Sequence, residues 1–113
     1  MKRVRTDSTL QNEGLLVRCR TAIKSIDPSA DLILYGSRAR GDAKEESDYD
    51  FIILTDRAVT LEQEDVFRRE LYPLELETGA VFTIMLANKS DWNSALYREM
   101  PFRQNVERDG ISL

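Results

Sequence analysis

Apolar residues in the first quarter of the chain recur at three- and four-residue steps. Leu15, Cys19, Ala22, Ile23 and Ile26 form one stripe, which predicts an amphipathic helix over about 10–26. Asp27-Pro28 stops it. The pattern then changes to short continuous apolar runs. Leu32-Ile33-Leu34-Tyr35 predicts a strand over about 31–35, and Phe51-Ile52-Ile53-Leu54 a second over about 49–54, apolar enough to be buried on both faces. Between them, 38–42 reads as a short helix or irregular loop and 43–47 as an exposed connection. Thr60 followed by Gln63 has the form of a capping box. Phe67, Leu71 and Leu74 continue at helical spacing, so a helix is expected over about 61–76, with Gly79 as its terminator. Residues 80–87 read as a third buried strand. Ser90 is then expected to cap a helix containing Trp92, Leu96 and Met100, and Pro101 to separate it from a segment in which Phe102 and Val106 pack back. The order is α-β-β-α-β-α, a sheet covered by helices.

Composition narrows the chemistry by exclusion. At 113 residues and 13.0 kDa the chain fits one small domain, 1–113, with no room for a separate substrate domain of typical size. With 42% hydrophobic and 32% charged residues it has the composition of a soluble globular protein. No run approaches the roughly 18 apolar residues of a membrane span. Met1-Lys2-Arg3-Val4-Arg5-Thr6 leads into polar sequence, so the cytoplasm is the expected compartment. Absence of histidine removes Ser-His and Cys-His triads and the commonest zinc sites. Cys19, the single cysteine, falls on the apolar helix face and reads as a buried thiol. A formal charge of −4 disfavours a nucleic-acid substrate, and Arg18, Arg20 and Lys24 read as a solvated helix face.

What remains is chemistry by carboxylates, cations and hydroxyls, and one region concentrates it. Gly36-Ser37-Arg38-Ala39-Arg40-Gly41-Asp42 ends the first apolar run, and Ser47-Asp48-Tyr49-Asp50 opens the second. Asp48 and Asp50 are two apart at the head of a strand, where alternation sends both carboxylates to one side, a geometry suited to a cation. A glycine after the first run lets backbone N–H groups approach an anion with no Cβ in the way. A P-loop is excluded because Asp42 stands where its lysine belongs, and an EF-hand starting at Asp48 is excluded by Ile52 and Ile53 at its fifth and sixth positions. Either half alone would pass as ordinary turn vocabulary.

Together, in this order and this strand context, the two halves resemble the signature of the DNA polymerase β-like nucleotidyltransferase superfamily, above all its minimal prokaryotic members, the MNT proteins. The resemblance implies an α/β (α+β) fold, a small mixed β-sheet with helices packed on it, and a single minimal nucleotidyltransferase domain. It implies Asp48 and Asp50 as catalytic ligands of Mg²⁺, at one or two metal positions. Gly36 and Ser37 would bind the β- and γ-phosphates of ATP or another NTP, and Arg40 or Arg38 would add a phosphate contact, Arg40 aligning better. Surface salt bridges to Asp42, Glu45 or Glu46 are the alternative for either arginine. The implied reaction moves an NMP, AMP from ATP above all, to a hydroxyl on a partner protein. Small members often act as antitoxins that adenylylate HEPN-domain toxins.

One family feature is missing. A third carboxylate belongs on the next strand, beside the pair, and Ala80-Val81-Phe82-Thr83-Ile84-Met85-Leu86 contains no acid. Glu75 or Glu77 would have to swing in, or Thr83 serve as a weak ligand; the two glutamates otherwise read as solvent-facing residues at a helix end. The second reading is therefore a binding module of the same fold, holding a nucleotide or a partner without chemistry.

Overall fold

Two runs too apolar to leave either face in water become neighbouring strands of a sheet. The computed structural model describes residues 2–3 (backbone only), 13–44 and 46–113. Its elements are β1 (Lys2–Arg3), α1 (Glu13–Ile26), β2 (Asp31–Tyr35), α2 (Ser37–Arg40), β3 (Tyr49–Thr55), α3 (Leu61–Thr78), β4 (Phe82–Asn88), α4 (Lys89–Trp92), α5 (Ala95–Arg98), α6 (Pro101–Asp109) and β5 (Ile111–Ser112). The sheet order is β1-β5-β2-β3-β4. β2 runs antiparallel to β3 and to β5, while β3 pairs parallel with β4. A parallel neighbour demands a crossover, which α3 supplies. The sheet is therefore mixed, as expected.

Strand alternation divides the core between two faces. Leu32, Leu34, Phe51, Ile53, Phe82, Ile84 and Leu86 pack against Leu16, Cys19 and Ile23 of α1 and Phe67, Leu71 and Leu74 of α3. Leu16, Cys19 and Ile23 are the fully buried residues of α1, and Leu15 is only partly buried. On the other face Ile33, Ile52, Leu54 and Ala87 meet Trp92 and Val106, which belong to α4 and α6. Burial pushes the Cys19 thiol up to about 12, so it stays a protonated core residue.

Several expectations need correction. The expected start of α1 near Leu10 lies outside the described residues. Thr60 caps α3 as expected, its Oγ1 accepting from Gln63 N at 3.0 Å, and the Gln63 side-chain nitrogen is buried with no partner among the described residues. The helix capped by Ser90 is instead two short ones. Asn88 Oδ1 caps α4 through Ser90 N at 2.9 Å, and Ser94 Oγ caps α5 through Tyr97 N at 3.3 Å. Pro101 starts α6, where its missing N–H is no loss.

At the far end of β3, opposite the motif, sits a polar node. Asp27 is 1% exposed, yet its carboxylate accepts from Thr55 Oγ1 at 2.5 Å, Ser29 Oγ at 2.7 Å and Ser29 N at 3.0 Å. Burial alone would raise the Asp27 pKa; these donors, with the Arg57 charge, outweigh it and hold the carboxyl below its usual range. A depressed folded pKa means that the stabilisation is present above the unfolded value, about 3.9, and is lost as pH falls through the folded value. Replacing Thr55 by Val strands a buried carboxylate lone pair, and about 2 kcal/mol of stability should be lost at pH 7. Denaturant titrations at pH 7 and near pH 3 check this: the variant should also lose less stability on acidification than the parent.

Candidate functional site

The motif halves meet because β2 and β3 are antiparallel neighbours. Their register places Tyr35 beside Asp50, and the parallel register of β3 with β4 places Asp50 beside Thr83. Tyr35, Asp50 and Thr83 thus form one row across the sheet, on the face that α4 and α6 cover farther along the strands. Tyr49, between the two aspartates, turns the other way and is 2% exposed, stacked on Phe51 and edge-to-face with Phe82. Asp48 is exposed and Asp50 half-buried.

Gly36 closes the turn directly over this row. Its backbone (φ 74°, ψ −158°) is open only to glycine, and a Cβ built there would collide with Asp50 Oδ2 and come within 3.3 Å of Asp50 Cγ. The Gly36 carbonyl then accepts from Ala39 N and Arg40 N, both at 3.1 Å, so that Ser37 heads the short helix α2. Backbone conformation and the nearby carboxylate both call for glycine at this position. The Gly-Ser turn and Asp50 form one cradle.

The two arginines do different things. Arg38 Nε and Nη2 donate to the Ser47 carbonyl at 3.1 and 2.8 Å, and its guanidinium lies 4.3 Å from the Tyr49 ring centre. It therefore pins the connection after Gly41 to the start of β3, where Asp48 is. Arg40 lies half exposed with Nε 3.4 Å from Asp42 Oδ2, and its charge reaches Asp50. The surface-pair alternative is met for Arg40, toward Asp42. Glu45 lies outside the described residues.

Neither candidate third acid is turned to the row. Glu75 Oε2 accepts from Phe82 N at 3.0 Å at the start of β4, and Glu77 pairs with Arg18, Oε2 to Nη2 at 2.5 Å. Thr83 occupies the position beside Asp50. Among the described residues no group of three or more His, Cys, Asp or Glu is gathered for a metal.

The electrostatics suit a cation held jointly by protein and ligand. Partial burial and the neighbouring Asp48 charge raise the Asp50 pKa, and the Arg40 charge offsets this only in part. Two carboxylates sharing one sign without full compensation present hard oxygen donors. Mg²⁺ commonly takes one or two carboxylates and completes its shell with substrate phosphates and water. The residues present fit that ion.

The meeting of Tyr35 with Phe102 beside Asp50 escaped the sequence pattern, although Phe102 was expected to pack back. Tyr35 looks like the last residue of an apolar run, and only the strand register sets it beside Asp50. The Phe102 ring lies 5.5 Å from that of Tyr35, across some 67 residues of sequence. No local signal carries such a contact.

Comparison with known proteins places the chain. A terminal uridylyl transferase 4 from Trypanosoma brucei, solved with bound UTP and UpU, superposes with a TM-score of 0.47 at 17% identity, over 88% of this chain and 40% of that one. None of the curated proteins matches the sequence. The model of the nucleotidyltransferase domain matches residues 16–104, a span that holds the glycine turn, both aspartates and the strands that bring them together. The chain belongs to the nucleotidyltransferase domain family.

Proposed function

We propose that the chain binds a magnesium–nucleoside triphosphate at the Gly36–Asp50 cradle and transfers its nucleotidyl group, AMP from ATP, to a hydroxyl of a partner protein. The observation that carries this reading is the close approach of the Gly36 backbone to Asp50, which leaves no room for a Cβ between the glycine turn and the carboxylate. Asp48 and Asp50 hold the ion, Gly36 and Ser37 face the β- and γ-phosphates, and Arg40 supplies positive charge at the rim. Bound there, Mg²⁺ would neutralise charge developing on the phosphate oxygens. The acceptor oxygen forms a bond to the α-phosphorus, the bond to the β-phosphate oxygen breaks, and pyrophosphate leaves while the hydroxyl proton passes to water. The family resemblance supports a HEPN-type toxin as partner, with this chain as its antitoxin.

A second reading is favoured by Thr83. With threonine where a third carboxylate would adjoin Asp50, the cradle holds a nucleotide or occupies a partner without transfer. Incubation with labelled ATP, Mg²⁺ and the product of the neighbouring gene separates the two. Label reaching the partner, and disappearing in Asp48→Ala, supports transfer. Partner neutralisation that persists in the double variant Asp48→Ala, Asp50→Ala supports binding alone. In Thr83→Asp, transfer is expected to rise at least tenfold, on the order of the effect of one positioned proton acceptor; no change would count against Thr83 as the limiting position.

A further inference from the structure

The row of Tyr35, Asp50 and Thr83 is bordered on its covered side by the start of α6, and there one aromatic ring is only half covered. Phe102 is 39% exposed, whereas Val106, one turn on, is 2% exposed. The ring is held between two others, 5.5 Å from Tyr35 at 90° and 6.4 Å from Trp92 at 81°. Leu61 and Leu76 are more exposed still, but they sit on α3, behind the sheet. Single exposed apolar residues are ordinary. This one is oriented by its neighbours and touches the residue that precedes the glycine turn. Phosphates at Gly36 and Ser37 would place the rest of a nucleotide within reach of Tyr35 and the ring packed on it.

We infer that Phe102, oriented by Tyr35 and Trp92, is the seat of the nucleobase when a nucleoside triphosphate occupies the cradle, an assignment that rests on the nucleotide-binding reading above. The chemistry is stacking of one flat ring on another, which recognises a π-face rather than a hydrogen-bonding edge. Such a seat accepts any base, with purines favoured by their larger face. Trp92, 2% exposed beneath, serves as the support that keeps the ring in place.

Affinities for ATP and for inorganic triphosphate, each with Mg²⁺, test this in the parent chain and in Phe102→Leu and Phe102→Tyr. Leucine keeps the apolar contact with Tyr35 and Trp92, so the fold is retained, but it offers no ring. Phe102→Leu should weaken ATP on the order of tenfold, a typical loss for one stacked base, and leave triphosphate unchanged, while Phe102→Tyr keeps ATP near the parent value. Equal affinity of Phe102→Leu and parent for ATP, or equal losses for ATP and triphosphate, overturns the base seat alone. A parent chain that binds neither ligand overturns the nucleotide site itself, and the seat with it.

Discussion

Replacing Asp50 by asparagine is expected to move stability and binding in opposite directions. The Asp50 pKa is raised, by burial first and by Asp48 second, so the folded state holds this proton more tightly than the unfolded chain does. For a carboxyl shifted this way, folding stability declines as pH rises through the folded pKa, and at pH 7 without metal the charge is a burden. Asparagine keeps the shape and removes the charge. Relief on the order of 1 kcal/mol is expected, roughly the scale of two like charges about 4 Å apart in bulk water, because Asp48 is exposed and Asp50 only half-buried. In a chain of 113 residues that is a rise in Tm of about 4 °C. With Mg²⁺ and ATP present the order reverses. The parent gains stability as its ligand binds, by about 2.7 kcal/mol at a concentration one hundred times Kd. The variant gains none, having lost half of its charged ligand pair. Thermal melts of both proteins with and without Mg²⁺–ATP, paired with calorimetry, read both effects. A variant that melts lower than the parent in the absence of ligand, or that binds Mg²⁺–ATP as the parent does, defeats the assignment of Asp50 as a ligand held at a cost to the fold.

Substitution of Gly36 by alanine should be the more damaging change, although it adds a single methyl group. Backbone at φ 74° and ψ −158° is a glycine region, so any Cβ costs about 1–3 kcal/mol before contacts are counted. The new methyl would also run into Asp50 Oδ2 and press on Cγ, 3.3 Å away, so either the carboxylate or the turn has to move. Rotating Asp50 away removes the proposed metal ligand; shifting the turn breaks the bonds from Ala39 and Arg40 to the Gly36 carbonyl. A total loss of about 3 kcal/mol in denaturant unfolding is expected, together with loss of Mg²⁺–ATP binding. Adding Gly36→Ala to an Asp50→Ala background separates backbone strain from collision. There the new methyl meets only the Cβ at position 50, at 3.5 Å, an ordinary contact, so the cost should fall to the backbone share alone. Equal costs in the parent and Asp50→Ala backgrounds would show that contact with Asp50 is not what demands the glycine.

Much of this molecule could be read residue by residue. Strand β2 was expected over 31–35 and spans Asp31–Tyr35; α3 was expected to begin at Leu61 after a Thr60 cap and does. Those boundaries are local, set by Asp27-Pro28, by the hydroxyl of Thr60 and by Gly79, which donates its N–H to Glu75 O at 2.8 Å. The two-residue strands β1 and β5 escaped, because a pair of residues carries no alternation to detect. The helix expected from Ser90 onward failed for a related reason. The side-chain oxygens of Asn88 and Ser94 capture nearby N–H groups and restart the backbone twice within eight residues, a local competition that spacing of apolar residues does not register. Arg38 reads as a phosphate ligand by position in the motif; in the fold its guanidinium is directed to the Ser47 carbonyl and the Tyr49 ring.

The sequence by itself determined the strand-turn-strand chemistry. Side chains two apart on a strand share a face, and apolar runs of this density must be buried, so the sequence predicts Asp48 and Asp50 together at the mouth of a core; β3 itself begins at Tyr49 and carries Asp50. Only the tertiary structure decided what stands around them. Register between strands is a long-range property, set when whole faces are matched for burial, and it placed Tyr35 on one side of Asp50 and Thr83 on the other. Packing of the helices on the sheet turned Glu75 to the backbone of Phe82 and Glu77 to Arg18, and it brought Phe102 back to Tyr35. Each of these contacts joins residues whose separation along the chain exceeds any local period, or depends on where a neighbouring strand begins, and so no pattern of adjacent residues could encode it.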